Sequence, residues 1–210
     1  MKALDAILTL NNLAASQRGL FTSTQARSFG VTKVDLARLA DRGQIVRLRH
    51  GVYRAGGAPS TREEDVLAAW MSLEPSTPSY LRDVSPDGFT ASLNTAAWLH
   101  GFGELNATPV VFSHPGRHQT RKLALQFIKR ELAKCDIVIV AGIPATSPTR
   151  TIIDLVRYGE DLSLTASVLN DALVEGGIPD EELLSREIDG LAVKRGFEPG
   201  YPLYNYLRRQ

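Results

Sequence analysis

The chain has 210 residues, of which 43% are hydrophobic and 22% charged, enough apolar material to close a core and to exclude a fibrous repeat or general disorder. Its longest apolar run, Ile137 to Ile143, is far shorter than the roughly 20 residues that cross a bilayer. We therefore expect a soluble cytoplasmic protein without a membrane partner. The single cysteine, Cys135, agrees with a reducing compartment.

The net charge of +1 conceals two parts of opposite sign. Residues 1–57 contain nine Lys and Arg against three Asp and Glu, whereas the rest of the chain contains 15 basic and 20 acidic residues. Such an asymmetry indicates different partners for the two parts. We predict one domain over 1–57 and a second over 61–210, joined by a short Gly- and Pro-containing linker.

The first predicted helix covers Met1 to Leu13. Leu4, Ile7 and Leu8 recur there at the spacing of one helical side. We expect that side, continued by Ala14, to be buried.

Two short helices follow, each with its own start signal. Thr22 and Gln25 have the spacing of a capping box, in which each side chain bonds the backbone N–H of the other residue. Gly30 ends this second helix, and Thr32 with Asp35 begins the third. Two short helices separated by a glycine-containing turn predict a helix-turn-helix.

The third helix, predicted over residues 32–42, has one apolar and one basic side. Leu36 and Leu39 converge on the apolar side at about 100° per residue. The first turn of such a helix is the part that approaches base edges in the major groove of DNA. Lys33 lies in that first turn, and the positions on the exposed side are Val34, Ala37, Arg38 and Arg42.

A hairpin is predicted after this helix. Residues 44–49 alternate as a strand, His50 and Gly51 supply a two-residue turn, and residues 52–54 return. In that register Arg47 faces Arg54, so we expect the hairpin arginines to share one open side and to neutralise phosphates. The predicted contacts to double-stranded DNA are Thr32, Lys33, Val34, Arg38, Arg42, Arg47, Arg49 and Arg54.

The other interpretation of this part is a small helical domain with ordinary surface arginines. We favour DNA binding, because element order, caps, turn glycines and charge agree independently.

The acidic part mixes helices and strands, which predicts an α+β domain with a small antiparallel or mixed sheet. The full prediction is thus an α+β protein: an N-terminal winged helix-turn-helix followed by a C-terminal α+β domain with a small sheet and several helices. Helices are predicted from Thr61, over 90–100, from Ser147, over 162–175 and over 180–188, and strands over 110–112, 125–128 and 137–140.

Conventional catalytic and metal-binding patterns are weak in this sequence. His114 and His118 flank a Pro-Gly turn and would need Cys135 or Asp136 to complete a metal site. No C-x-x-C or H-E-x-x-H accompanies them, so we expect a polar loop and no metal. Asp136 and Asp154 are interpreted as helix-face or strand-end acids paired with arginine, the alternative being buried acids poised by desolvation. No phosphate-binding loop or kinase motif occurs, so we expect no cofactor and identify no catalytic residue.

Several stretches resemble the AbiEi-type antitoxins of toxin–antitoxin systems. In the N-terminal part the similarity lies in residues 19–23, 30–32 and 51–53, and in the acidic part in residues 92–101 and 143–155. The resemblance implies a winged helix-turn-helix that binds and represses its own promoter. It also implies that the protein neutralises a cognate nucleotidyltransferase-like toxin encoded beside it.

Our hypothesis is therefore an antitoxin that is also a transcriptional repressor, with self-association on DNA left open. One alternative is an enzyme that inactivates the toxin by phosphorylation, through a site that no standard motif reveals. A second is a stand-alone regulator that senses a ligand, which predicts that no toxin gene lies beside this one.

Overall fold

A computed structural model describes residues 3–82, 84–120 and 123–210 and divides the chain into two compact units, Met1–Asp83 and Val84–Gln210. Met1 and Lys2, the start of the first predicted helix, lie outside the described residues. No helix in the described ranges is long and apolar enough to cross a bilayer. The observed division falls after the helix that begins the predicted second domain, because that helix packs on the N-terminal sheet.

The first unit surrounds a three-stranded antiparallel sheet with the strand order β1-β3-β2. Both predicted capping boxes are present, Thr22 with Gln25 and Thr32 with Asp35, so the two short helices begin where the sequence indicates. The elements are α1 (Ala3–Ala15), β1 (Leu20–Thr22), α2 (Ser23–Ser28), α3 (Lys33–Asp41), β2 (Ile45–Arg49), β3 (Val52–Ala55) and α4 (Glu64–Met71).

The predicted buried side of α1 is wrong in part. Leu4 and Leu8 are largely exposed, whereas Ala6, Leu10 and Ala14 are buried against the core of the unit. The helical spacing of apolar residues fits both the predicted and the observed set, so it does not decide between them. The small alanines at both ends of the buried stripe let α1 approach the strands closely.

The hairpin forms with the predicted His50-Gly51 turn, but its register differs from the prediction. Arg47 pairs with Tyr53, and Arg54 pairs with Val46. A β-bulge between Arg47 and Arg49 adds one residue to β2, which shifts every pairing beyond it. Because successive side chains of a strand point to opposite faces, Arg47 and Arg54 lie on opposite faces of the sheet.

Helix α4 covers the face of the sheet that α1–α3 leave open. Its predicted cap at Thr61 is absent: the N-cap residue is Glu63, and its side chain makes no capping bond. The segment that follows, residues 72–82, is held by Arg82, whose guanidinium donates to the carbonyls of Trp70, Met71 and Glu74. Burial lowers the pKa of Arg82 to about 10.

The second unit contains a mixed five-stranded sheet with the order β6-β5-β4-β8-β7. Strands β4 and β8 are parallel, as are β5 and β6, while the β4–β5 and β7–β8 pairs are antiparallel. The elements are β4 (Thr90–Ala91), α5 (Leu93–His100), β5 (Val110–His114), β6 (Leu125–Lys129), β7 (Ile137–Val140), β8 (Ile143–Thr146), α6 (Pro148–Tyr158), α7 (Leu162–Val174), α8 (Glu181–Asp189) and α9 (Leu203–Leu207).

Three elements of this unit differ from the prediction. Thr90 and Ala91 form the central strand instead of the first turn of a helix. Residues 143–146 form β8, and the tail after Gly177 ends in α9, whose Leu203 and Leu207 are fully buried in the main core. The C-terminal tail is thus part of the core of this unit.

Candidate nucleic-acid interface

The exposed face of α3 contains the residues predicted to read DNA. Val34 is 65% exposed, and Lys33, Arg38 and Arg42 are exposed beside it, while Leu36 and Leu39 are buried beneath. The helix is therefore anchored by its apolar side and presents a basic side to solvent, as predicted.

Thr32 has a structural role at the start of this helix. Its hydroxyl accepts a hydrogen bond from the Asp35 N–H, which caps the helix. The same hydroxyl and the Thr32 N–H both donate to the Asp35 carboxylate, and these two bonds lower the pKa of Asp35. Arg38 is 3.9 Å from the same carboxylate, a weak contact that leaves most of its side chain exposed. Asp41 is exposed at the other end of α3, next to the exposed Arg42.

A cleft of about 470 Å³, which we call the hairpin cleft, lies between α2, α3 and the hairpin. Arg47 is exposed at its edge, and its Nη2 lies 3.2 Å from Nδ1 of His50. No acidic residue occurs among the described residues that line it. The lining residues are Ser23, Thr24, Arg27, Lys33, Ala37, Arg47, His50, Gly51, Val52, Tyr53, Ser72 and Pro75.

Arg49 and Arg54 do not join this surface, which corrects the expectation that all three hairpin arginines share an open side. Arg54 donates two hydrogen bonds to the Glu64 carboxylate of α4, at 3.1 and 2.9 Å. Arg49 is half-buried; burial lowers the pKa of its guanidinium, and the nearby Asp65 carboxylate opposes that shift. The bulge in β2 is the cause, because it changes which hairpin side chains face α4.

The first unit thus sorts its charges between two sides of one sheet. Three consecutive acids at the start of α4 meet arginines: Glu64 and Asp65 interact with Arg54 and Arg49 on the covered side, and Glu63 lies 3.7 Å from Arg18. On the other side, the side chains of Arg27 and Lys33 have no hydrogen-bond or ion-pair partner in the described part of the chain. These side chains are available for an external anion.

The sequence predicts no binding role for Arg27 and only a turn position for His50. Arg27 was counted only as part of the basic N-terminal region, because nothing in the sequence places α2 beside the hairpin. His50 carried a signal, since Asn or Asp is the usual first residue of such a turn. An imidazole at that position offers a hydrogen-bonding group that the turn itself does not need.

In the second unit, Asp154 of α6 is the most deeply buried carboxylate, with 1% of its side chain exposed. Arg130 Nη2 is 2.9 Å from Oδ1, and Arg150 Nε donates to Oδ2 at 3.0 Å. Burial raises the pKa of Asp154 to about 6, although Arg130 and Arg157 act to lower it. Arg150 also lies 3.6 Å from Asp136, so both acids are paired with arginine, as interpreted from the sequence.

The two histidines at the end of β5 contact each other. His118 Nε2 lies 3.1 Å from His114 Nδ1, and Phe89 packs against both rings. Cys135 and Asp136 do not join them in a metal-binding group: among the described residues no cluster of three or more His, Cys, Asp or Glu can hold a metal ion.

A helix-turn-helix with a β-hairpin and an exposed basic helix defines the first unit as a winged-helix regulator domain, followed by an α+β domain. Comparison with protein families agrees. Residues 9–56 match "Transcriptional regulator, AbiEi antitoxin", and residues 89–189 match "AbiEi antitoxin C-terminal domain". The chain belongs to the AbiEi antitoxin family, and its role is that of an antitoxin with a transcriptional-regulator domain.

Among solved structures, the fold is similar to the crystal structure of the RV2827C protein from Mycobacterium tuberculosis. The two share 13% sequence identity with a TM-score of 0.54, over 96% of this chain and 80% of that one. At this identity the similarity concerns the fold alone. A search of curated proteins finds no match.

Proposed function

We propose that this antitoxin represses its own operon by binding promoter DNA through the exposed face of α3, and that it neutralises a nucleotidyltransferase-like toxin encoded beside it in the cytoplasm. The observation that carries the DNA-binding part is the set of solvent-facing cations on one side of the winged helix. Lys33, Arg38, Arg42 and Arg47 are exposed there, while the acids of α4 engage the arginines of the opposite side.

In this arrangement α3 enters the major groove, with Lys33, Val34 and Arg38 near base edges. Arg42 and Arg47 contact phosphates and supply affinity that does not depend on sequence. Thr32 contributes by fixing the start of the helix. Arg49 and Arg54, predicted phosphate contacts, are assigned instead to holding the hairpin against α4.

The DNA-binding proposal is tested with duplexes from the region upstream of the gene. Arg38→Ala should weaken binding and reduce the preference for the native over a scrambled duplex, whereas Arg47→Ala should weaken both equally and flatten the salt dependence. Lys194→Ala, which removes an exposed cation of the second unit, is the control. Native-like binding by both test variants would refute the assignment of α3 and the hairpin.

The toxin-neutralising part is supported by family membership and is tested by co-expression with the adjacent toxin gene. We expect growth to be restored and an unmodified complex of the two proteins to be isolated. Incubation with labelled ATP and Mg²⁺ distinguishes the enzymatic alternative, because phosphoryl transfer would label the toxin. A labelled toxin without a stable complex would overturn neutralisation by binding.

A further inference from the structure

We propose that the hairpin cleft seats one backbone phosphate of the bound duplex, with Arg27 and His50 acting alongside Lys33 and Arg47. This inference rests on the proposed DNA binding and deepens it, because it assigns α2 and the turn of the hairpin to the interface. Neither Arg27 nor His50 belongs to the set predicted from the sequence.

The walls of the cleft are fixed to each other, which preorganises its donors. The Ser23 N–H at the start of α2 donates to the Gly51 carbonyl of the hairpin turn at 2.8 Å. Gly51 has φ +76°, and a Cβ there would lie 3.2 Å from the Ser23 hydroxyl. Glycine therefore both forms the turn and allows it to lie this close to α2.

The positive charge that lines the cleft favours the binding of an anion. Arg27, Lys33 and Arg47 line it together, and the described lining contains no carboxylate to neutralise them. The Arg47 guanidinium donates to His50 Nδ1, which orients it at the rim without reducing its charge. Ser23 and Thr24 add hydroxyl groups, so charged and neutral donors converge on one volume.

A phosphodiester fits this site better than a free anion. The cleft is open and continuous with the face of α3 through Lys33 and Ala37, so a strand that follows the edge of the groove passes directly over it. Its volume of about 470 Å³ suits a section of passing backbone more than a single enclosed ion. Phosphate contacts of this kind fix the register of the protein on the duplex.

The test compares Arg27→Ala and His50→Ala with wild type on native and scrambled duplexes over a range of salt concentrations. Arg27→Ala should weaken binding to both duplexes equally and reduce the slope of log K against log salt by about 0.9, the value for one phosphate. His50→Ala should weaken binding in the same direction, because Arg47 loses its orienting partner. Arg18→Ala is the matched control, since Arg18 lies against Glu63 and does not line the cleft.

Single methylphosphonate substitutions in the native duplex then locate the phosphate. At one position, removing the phosphate charge should weaken binding by the wild-type protein but change binding by Arg27→Ala little. The effects of the methylphosphonate and of Arg27→Ala are then not additive. If wild type binds and Arg27→Ala behaves as Arg18→Ala does at every position, the phosphate seat is refuted while the proposed function stands.

Two other outcomes also contradict the proposed phosphate site in the hairpin cleft. If wild type binds no upstream duplex, the proposed function fails and the seat fails with it. If inorganic phosphate raises the melting temperature of the free protein in an Arg27-dependent manner and no methylphosphonate position couples to Arg27, the cleft is a free-anion site and the proposal is overturned.

Discussion

The Asp154 carboxylate is buried against arginines, yet its pKa lies above the ordinary value because desolvation outweighs their attraction. A carboxyl group whose pKa is raised by folding binds its proton more tightly in the folded chain than in the unfolded one. Protonated Asp154 therefore contributes to the free energy of unfolding in full below pH 3.8, and this contribution is lost as the pH rises through about 6.

We predict that the free energy of unfolding of wild type, relative to Asp154→Asn, falls by about 2 kcal/mol between pH 4 and pH 7. Urea unfolding of both proteins at several pH values measures this difference, since asparagine does not titrate. Asp161→Asn is the control of opposite sign: hydrogen bonds from Ser163 and backbone N–H groups lower the pKa of Asp161. Its contribution is lost as the pH falls. A pH-independent difference for Asp154→Asn would contradict the prediction.

At the scale of elements, the contact between the hairpin and α4 explains why two arginines are withdrawn from the basic surface. The side chains of Arg54 and Glu64 are only 17% and 15% exposed, and Arg54 donates to both oxygens of the Glu64 carboxylate. Removing one partner leaves the other charge buried and unpaired. This lowers the free energy of unfolding more than the loss of an exposed ion pair does.

We predict that Arg54→Ala and Glu64→Ala each lower the free energy of unfolding by about 2–4 kcal/mol and that the double variant loses less than their sum. Arg18→Ala removes the looser pair with Glu63 and should cost less than about 1 kcal/mol. Chemical denaturation supplies the values. If Arg54→Ala is as stable as Arg18→Ala but binds DNA poorly, Arg54 belongs to the interface after all.

At this scale, a feature of the fold was predictable from the sequence where its signal is local. The caps at Thr22 and Thr32 and the exposed side of α3 were predictable, because each depends on residues within one or two turns. The bulge in β2 was not, since it is a property of how β2 pairs with β3 and no turn or cap residue signals it. Likewise Thr90 and Ala91 continue the apparent helix in sequence, and only their pairing with β5 and β8 makes them a strand.

At the scale of the whole molecule, the first unit extends beyond the basic region that the charge pattern delimits. Side chains of the helix-turn-helix hold residues 72–82: Thr22 donates to the Pro75 carbonyl, and Gln25 donates to the Thr77 carbonyl at 3.2 Å. Gln17 accepts a hydrogen bond from the Ser79 N–H at 2.9 Å. The three polar residues are buried, so these bonds replace hydration that folding removes.

We therefore predict that a fragment ending at residue 57 does not fold cooperatively, whereas one ending at residue 83 does. The shorter fragment lacks α4, which leaves the apolar Leu20 and Val52 uncovered on one face of the sheet and removes the carboxylate that pairs with Arg54. It also leaves Gln17 and Gln25 without their partners in the 72–82 segment. Thermal unfolding followed by circular dichroism distinguishes the two fragments. A sharp transition for the shorter one would show that α4 and the 72–82 segment are dispensable for the winged helix.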